Sequence, residues 1–244
     1  MSEIFLPGLT DPAAHATVRR HGHSPEAAAE QAEAVFGQLL ARLGTGNEHD
    51  LCKITMQITD RAYRQAVYGV LGRMLPGVWP VSTGLIVPGL SDPDALFQLD
   101  AYAVRGGPHR RLHRYRSSDV PYGLQMQSFS MDFCMVVVAG RRVFLRGQTG
   151  MTLGRDLIGL NDPGGQARQA VLNVHSLLAD AGATFADATR LVIYVTDRAY
   201  LAPVRDAVEP AFADAPLAST ELIVRGLAAP EILMEIDVHA TLPA

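Results

Sequence analysis

Acidic and imidazole side chains alternate along the last apolar run of the chain, ILMEIDVHATL (residues 232–242). Asp237 and His239 are two positions apart, so an extended strand would place both on one face. A carboxylate and an imidazole are common metal ligands, but no third ligand stands at a recognisable spacing. His21 and His23, in HGHS, also lack a third ligand at a recognisable spacing, and they are expected in an exposed loop. The sequence therefore predicts no metal site.

Other signatures of chemistry are weak. The pattern GxSxG of a serine nucleophile is absent, and RGQTG and DPGGQ do not have the spacing of a phosphate-binding loop. The basic run HRRLHRYR, from His109 to Arg116, could contact phosphates. The alternative is a solvated edge strand or linker. The net charge of −4 favours that alternative and argues against a nucleic-acid partner.

The two cysteines, Cys52 and Cys134, both lie inside apolar, strand-like runs. They are expected to be small, reduced hydrophobic residues of a cytoplasmic protein. The longest apolar runs are far shorter than the roughly 20 residues of a membrane helix. The N-terminus lacks a basic start followed by an apolar core, so no signal peptide is expected. No membrane partner is predicted.

The chain contains an internal repeat. The segment TDRAY occurs at residues 59–63 and again at 196–200, an offset of 137 residues. With that offset, 17 of the 45 positions from Thr59 to Ala103 are identical to their partners. Because two long copies indicate a duplicated domain rather than a solenoid, we expect domains at residues 1–107 and 108–244.

Each copy has the pattern of an α+β domain. In the second, Asp162 is a candidate N-cap, Pro163 suits the first helical turn and Gly182 can end the helix. The order β-β-α-β-α-β-β predicts a mixed sheet with two helices on one face. The first copy uses Ser24 and Pro25 in the same way but lacks the first strand. The connector, residues 105–123, is a candidate to cover the edge left open.

Four segments of the second copy, VFLRGQT, QARQAVLNVHSLLADAGA, VIYVTD and LMEIDVHA, occur in this order. Together they resemble the YjgF/UK114 (RidA) family, over nearly all of the second copy and over the first from its second strand on. The resemblance implies a chorismate-mutase-like fold and homotrimers with clefts between neighbouring subunits. It also implies hydrolysis of reactive imines and enamines to keto acids and ammonia, without a cofactor.

The resemblance also identifies candidate substrate-binding residues. The family's carboxylate-binding arginine, on the strand after the second helix, is replaced by Ser219. The position of the family's serine before the GQ pair is Arg146, and that of its helix asparagine is Arg205. Phe133 takes the position of its tyrosine on the first strand. We interpret Arg146 and Arg205 as a relocated anion site, with surface or interface ion pairs as the alternative.

The family's catalytic glutamate, which positions water, is kept as Glu235 in the second copy. In the first copy that position is Gln98, which cannot act as a general base, and Arg146 is answered by Pro7. The first copy is therefore expected to be degenerate and structural. The resulting hypothesis is a cofactor-free deaminase or hydrolase of a small imine, enamine or related carboxylate. The alternative is a non-catalytic small-molecule-binding or scaffold member of the family.

Overall fold

A computed structural model describes residues 1–113 and 133–243. Within these ranges the chain forms two mixed sheets, each with helices on one face. The strands are β1 (Ser2–Leu9), β2 (Leu51–Ile58), β3 (Val81–Ile86), β4 (Phe97–Arg105), β5 (His109–Leu112), β6 (Val136–Ala139), β7 (Arg142–Leu145), β8 (Ala188–Val195), β9 (Ala218–Ile223) and β10 (Met234–Thr241). The helices are α1 (Ala14–His21), α2 (Pro25–Leu43), α3 (Arg64–Met74), α4 (Pro163–Ala181) and α5 (Leu201–Val208).

The four strands of the first sheet have the same order as the last four of the six strands in the second. The first has the strand order β1-β4-β2-β3 and the second β5-β6-β7-β10-β8-β9. In the first, Lys53 pairs in parallel with Val81; in the second, Arg190 pairs with Ala218, which is the same register moved by 137 residues. This confirms the duplicated α+β architecture. The boundary between residues 107 and 108 remains a prediction.

The two long helices begin where the sequence predicts, and α4 also ends where it predicts. The Ser24 hydroxyl accepts a hydrogen bond from the backbone N–H of Ala27 at the start of α2. The Asp162 carboxylate does the same for Gly165 at the start of α4, and Gly182, at φ 84°, ends that helix. Both helices bury an apolar face against their own sheet. Helix α1 lies outside the predicted pattern and ends at His21, next to the exposed His23.

The connector differs from the prediction. Its residues His109–Leu112 form β5, which pairs with β6 of the second sheet and leaves β1 at the edge of the first. The prediction that the connector covers the first sheet's open edge is wrong for these residues, because β5 supplies an extra edge strand to the other sheet. The rest of the predicted cover, and the end of the basic run from Arg114 to Arg116, lie outside the described residues.

The two halves pack against each other through the sheet faces that carry no helices. Along β10, Met234, Ile236 and Val238 point toward α4 and α5, as the alternation predicts. Asp237 points the other way and meets Lys53 of the first half. At the margin, the backbone N–H of Gly147 donates to the carbonyl of Ser82. No helix in the described part of the chain is long and apolar enough to cross a membrane.

Candidate functional site

A cavity of about 100 Å³ lies where the two halves meet. The first half contributes the start of α3 and strand β3, and the second contributes the loop that follows β7 and the start of β10. The polar side chains that line it are Arg64, Tyr68, Ser82, Arg146, Gln148, Thr149, Thr152, Arg155 and Glu235. This cavity lies inside one chain, between its two halves, whereas the family resemblance implies clefts between neighbouring subunits.

Glu235 is the acid of this cavity. It lies on β10 opposite Tyr194 of β8 and is 5% exposed. Its carboxyl group rests against the Cα of Gly147, where any Cβ would overlap it. Burial and the negative charge of Asp237 raise the pKa of Glu235 to about 7, against the opposing effect of nearby cations. Near neutral pH this carboxyl group can therefore give or take a proton.

Three arginines line the same cavity, one from α3 and two from the loop after β7. Arg64 begins α3 and lies over the ring of Tyr68, 4.9 Å from its centroid. Arg146 follows β7, with its guanidinium 5.4 Å from the ring centroid of Phe133. Arg155 is buried at φ 75°, a left-handed conformation unusual for a residue with a side chain. Because guanidinium groups bind carboxylates in pairs of hydrogen bonds, the cavity suits an anionic molecule.

The first half takes part in the site, although the sequence predicts a structural role for it. Gly84 of β3 leaves room for the Tyr68 and Arg64 side chains. A Cβ at this position would lie 2.5 Å from the Tyr68 hydroxyl and 3.0 Å from the Arg64 guanidinium. In the repeat, Gly84 corresponds to Glu221 and Arg64 to Leu201. These two differences between the copies were the available signal for a charged site on the first half.

Not all the predicted site residues come together. The structure unites Glu235 with Arg146, and it buries Phe133 beneath Arg146, beside the ring of Tyr68. Arg205 lies outside the cavity and forms two hydrogen bonds to the Glu221 carboxylate, of 2.8 and 2.6 Å. Ser219 is exposed on the edge strand β9. For Arg205 the geometry matches the alternative of a surface ion pair.

The pairing of halves explains this separation. The cavity combines the strand side of the second half with the helix side of the first. Tyr68 and Ser82 therefore occupy the places that the sequence assigned to their repeat partners, Arg205 and Ser219.

The remaining candidates have other surroundings. Burial lowers the pKa of His239 to about 3, so this imidazole is neutral, and Asp237 is bound to Lys53. In the described residues no group of three His, Cys, Asp or Glu could hold a metal ion. Cys52 and Cys134 are free and buried, and burial raises the pKa of each thiol to about 12. Neither thiol is ionised at neutral pH.

Comparison with known proteins supports this architecture. Residues 127–242 match the family model described as Endoribonuclease L-PSP. A solved chorismatase is 19% identical, with a TM-score of 0.65, and the match covers 98% of this chain and 74% of that one. This likeness shows the fold: two tandem chorismatase-like domains of the α+β class. No curated protein matches the chain.

Single-domain relatives match part of the chain. Rv2704 of Mycobacterium tuberculosis, a member of the YjgF/YER057c/UK114 family, is 27% identical over 55% of this chain and 100% of its own, with a TM-score of 0.44. PA3499 of Pseudomonas aeruginosa, a protein of unknown function, is 27% identical over 55% of this chain and 93% of its own, with a TM-score of 0.43. The family-model match over the second half, residues 127–242, supports membership of the YjgF/YER057c/UK114 (RidA) family.

Proposed function

We propose that the chain is a cofactor-free hydrolase that acts on a small carboxylate with an imine, an enamine or a related enol ether. The observation that supports this most directly is Glu235, a buried acid with a pKa of about 7 in a cavity lined by three arginines. A general acid works best when its pKa lies near the working pH.

In the proposed reaction the protonated carboxyl group of Glu235 donates its proton to the substrate. In an enamine or enol ether the proton goes to the electron-rich carbon, and in an imine to the nitrogen. Water adds to the resulting iminium or oxocarbenium carbon. The adduct then loses ammonia or an alcohol and becomes a carbonyl compound. Glu235, now ionised, accepts a proton from the added water, so protons balance over one turnover.

The arginines set the substrate class. The Arg146 and Arg155 guanidinium groups approach from the second half, and Arg64 from the first. Guanidinium groups beside the acid favour an anionic substrate, such as a carboxylate. The fold likeness to a chorismatase suggests chorismate as one substrate to test, since it carries two carboxylates and an enol ether.

The test is a turnover assay with two substrate sets. Ammonia release is measured from imines generated in situ from several amino acids, and pyruvate release from chorismate. Glu235→Gln should lower kcat by about 100-fold or more, because the amide cannot donate an acidic proton. Turnover that survives this substitution would remove the mechanism.

Two arginine variants form a matched pair. Arg146→Gln should weaken substrate binding by about 1.5–3 kcal/mol, as expected when charged hydrogen bonds are lost. Arg205→Gln should leave KM unchanged, because Arg205 is bound to Glu221 outside the cavity. If calorimetry detects binding of a small carboxylate that depends on Arg146 but no substrate turns over, the chain is a binding member of the family.

The proposal includes a homotrimer or a multiple of it, and a location in the cytoplasm. Two free, buried cysteines are compatible with a reducing compartment. The assembly is supported by the exposed apolar residues on the edge strand β9, Leu222 and Ile223.

A further inference from the structure

A buried ion pair crosses the junction between the two halves. The ammonium of Lys53, on β2 of the first half, lies 3.0 Å from the carboxylate of Asp237, on β10 of the second, and both side chains are 0% exposed. The same ammonium donates to the backbone carbonyl of Leu145, at 3.0 Å, and to the Thr83 hydroxyl, at 3.2 Å. All three donors of the lysine are used.

Such a pair contributes little net stability. Each ion loses its hydration on burial, so a buried pair is often no more stable than apolar residues of the same size. The pair therefore needs a reason other than stability, and its position supplies one. Asp237 is two residues from Glu235 on the same strand face. Thr83 donates a 3.0 Å hydrogen bond to Asp237 and lies beside Gly147, on which the Glu235 carboxyl group rests.

We propose that Lys53 and Asp237 are positioning residues for the acid. Lys53 holds Asp237 ionised beside Glu235. The ion pair also fixes strand β10, on which Glu235 and Asp237 lie, and it forms only while the two halves are docked. This inference rests on the proposed function of Glu235 as the proton donor. It gives the first half a second role besides lining the cavity, since it supplies the partner that keeps Asp237 charged.

The electrostatics agree with this geometry. Burial would raise the pKa of Asp237, but Lys53 lowers it below its usual range, so this carboxylate is ionised at neutral pH. Asp237 in turn raises the pKa of Glu235, whereas Lys53, Arg64 and Arg146 lower it. Of the described groups with a resolved effect on Glu235, Asp237 is the anion.

The other groups nearby do not supply a competing negative charge. Burial raises the pKa of the Tyr194 phenol, which faces Glu235 from β8, so it stays neutral. His239 is neutral as well, and the cation Arg190 acts on Asp237 from β8. The remaining cation of the cavity, Arg155, lies in the loop after β7.

The test replaces Asp237 by Asn in the full chain and follows two quantities against pH. The first is kcat/KM, which for a general acid falls as pH rises through its pKa. The second is the ¹³C chemical shift of the Glu235 carboxyl group, assigned by its absence in Glu235→Gln, and it requires no activity. The matched control is Asp100→Asn, because Asp100 is the repeat partner of Asp237 and accepts hydrogen bonds from two first-half groups, the Gly8 N–H and the Gln57 amide.

We expect Asp237→Asn to move both the falling limb and the carboxyl titration to lower pH by about one unit, and Asp100→Asn to move neither. If Asp237→Asn does not fold, the double variant Lys53→Met/Asp237→Asn removes both charges. It should shift the titration in the same direction by a smaller amount, since Asp237 affects Glu235 more than Lys53 does.

The outcomes separate the two proposals. A titration shift in a protein that turns over no substrate supports the positioning role and rejects the proposed hydrolysis. An active protein whose falling limb and carboxyl titration do not move in Asp237→Asn or in the double variant overturns the positioning role. A shift of equal size in Asp100→Asn also overturns it, because a remote charge would then act as strongly.

Discussion

The carboxyl group of Glu235 is held where its charged form is disfavoured, and this has a consequence for stability. Its pKa rises from 4.5 to about 7 on folding, so the folded chain binds this proton more tightly than the unfolded chain. The free energy of unfolding is therefore highest below pH 4.5 as far as this group is concerned, and it decreases as pH rises toward 7. The raised pKa that suits Glu235 to proton transfer therefore lowers the free energy of unfolding at neutral and higher pH.

We predict that Glu235→Gln stabilises the chain at pH 8 by about 3 kcal/mol, because the amide has no charge to bury. At pH 4, where the carboxyl group is protonated in both states, the same substitution should change stability little. Urea unfolding at the two pH values measures the difference. Glu209→Gln is the control, since that side chain is 64% exposed and should stay within about 0.5 kcal/mol at both. A pH-independent effect of Glu235→Gln would contradict the raised pKa.

At the scale of elements, the site depends on strand β10, which has one face against the helices and the other against the first half. Strand β10 packs Met234 and Ile236 under the helices and presents Glu235 and Asp237 to the first half. A shift of one residue in its pairing with β8 would exchange the two sets, so the apolar face fixes the position of the acid. Helix α4, which covers that apolar face, therefore stabilises the strand that carries the chemistry.

We predict that Asp162→Ala lowers the free energy of unfolding by about 1 kcal/mol, because the first turn of α4 loses the acceptor for the Gly165 N–H. Asp162 also contacts the exposed Arg168 at 3.3 Å. Arg168→Ala removes only that surface ion pair and should cost less than about 0.5 kcal/mol. Chemical denaturation of both variants distinguishes capping from the ion pair. Equal losses would mean that the cap contributes nothing.

At the scale of the molecule, one edge strand has a partner, whereas its repeat equivalent has none among the described residues. Strand β3 is covered by the second half through Ser82 and Ile86, which bond to the backbone of Gly147 and Gly226. Strand β9, its equivalent, is an exposed edge with Leu222 at 45% and Ile223 at 43%. Natural sheets cover or pair such edges. Among the described residues nothing covers the outer edge of β9, and we expect a further copy of the chain to supply the cover.

We predict that the chain is larger than a monomer in solution, with three chains, about 79 kDa, as the number implied by the family resemblance. Light scattering measures the mass. Leu222→Glu should reduce it, because a charge would be buried at the edge of β9. Leu172→Glu, at a position on α4 that is 61% exposed, should leave it unchanged. A stable monomer at micromolar concentration would reject the assembly.

The sequence by itself determined the duplication, the α+β class, the starts of the two long helices and the end of α4. These features are local or repeated: Asp162 and Gly182 act within one turn of the chain, and the alternation around Glu235 follows from the geometry of a strand. The candidate acid and Arg146 were also identified from sequence, through the family resemblance.

Only the tertiary structure decided which parts of the two copies meet to form the cavity. Arg205 and Ser219 were grouped with Glu235 because they lie in the same copy, whereas the cavity takes its helix side, with Arg64 and Tyr68, from the other one. The pair Lys53–Asp237 spans 184 residues of sequence and has no local pattern. Docking of two domains depends on the shape and charge of whole sheet faces, which no short segment encodes.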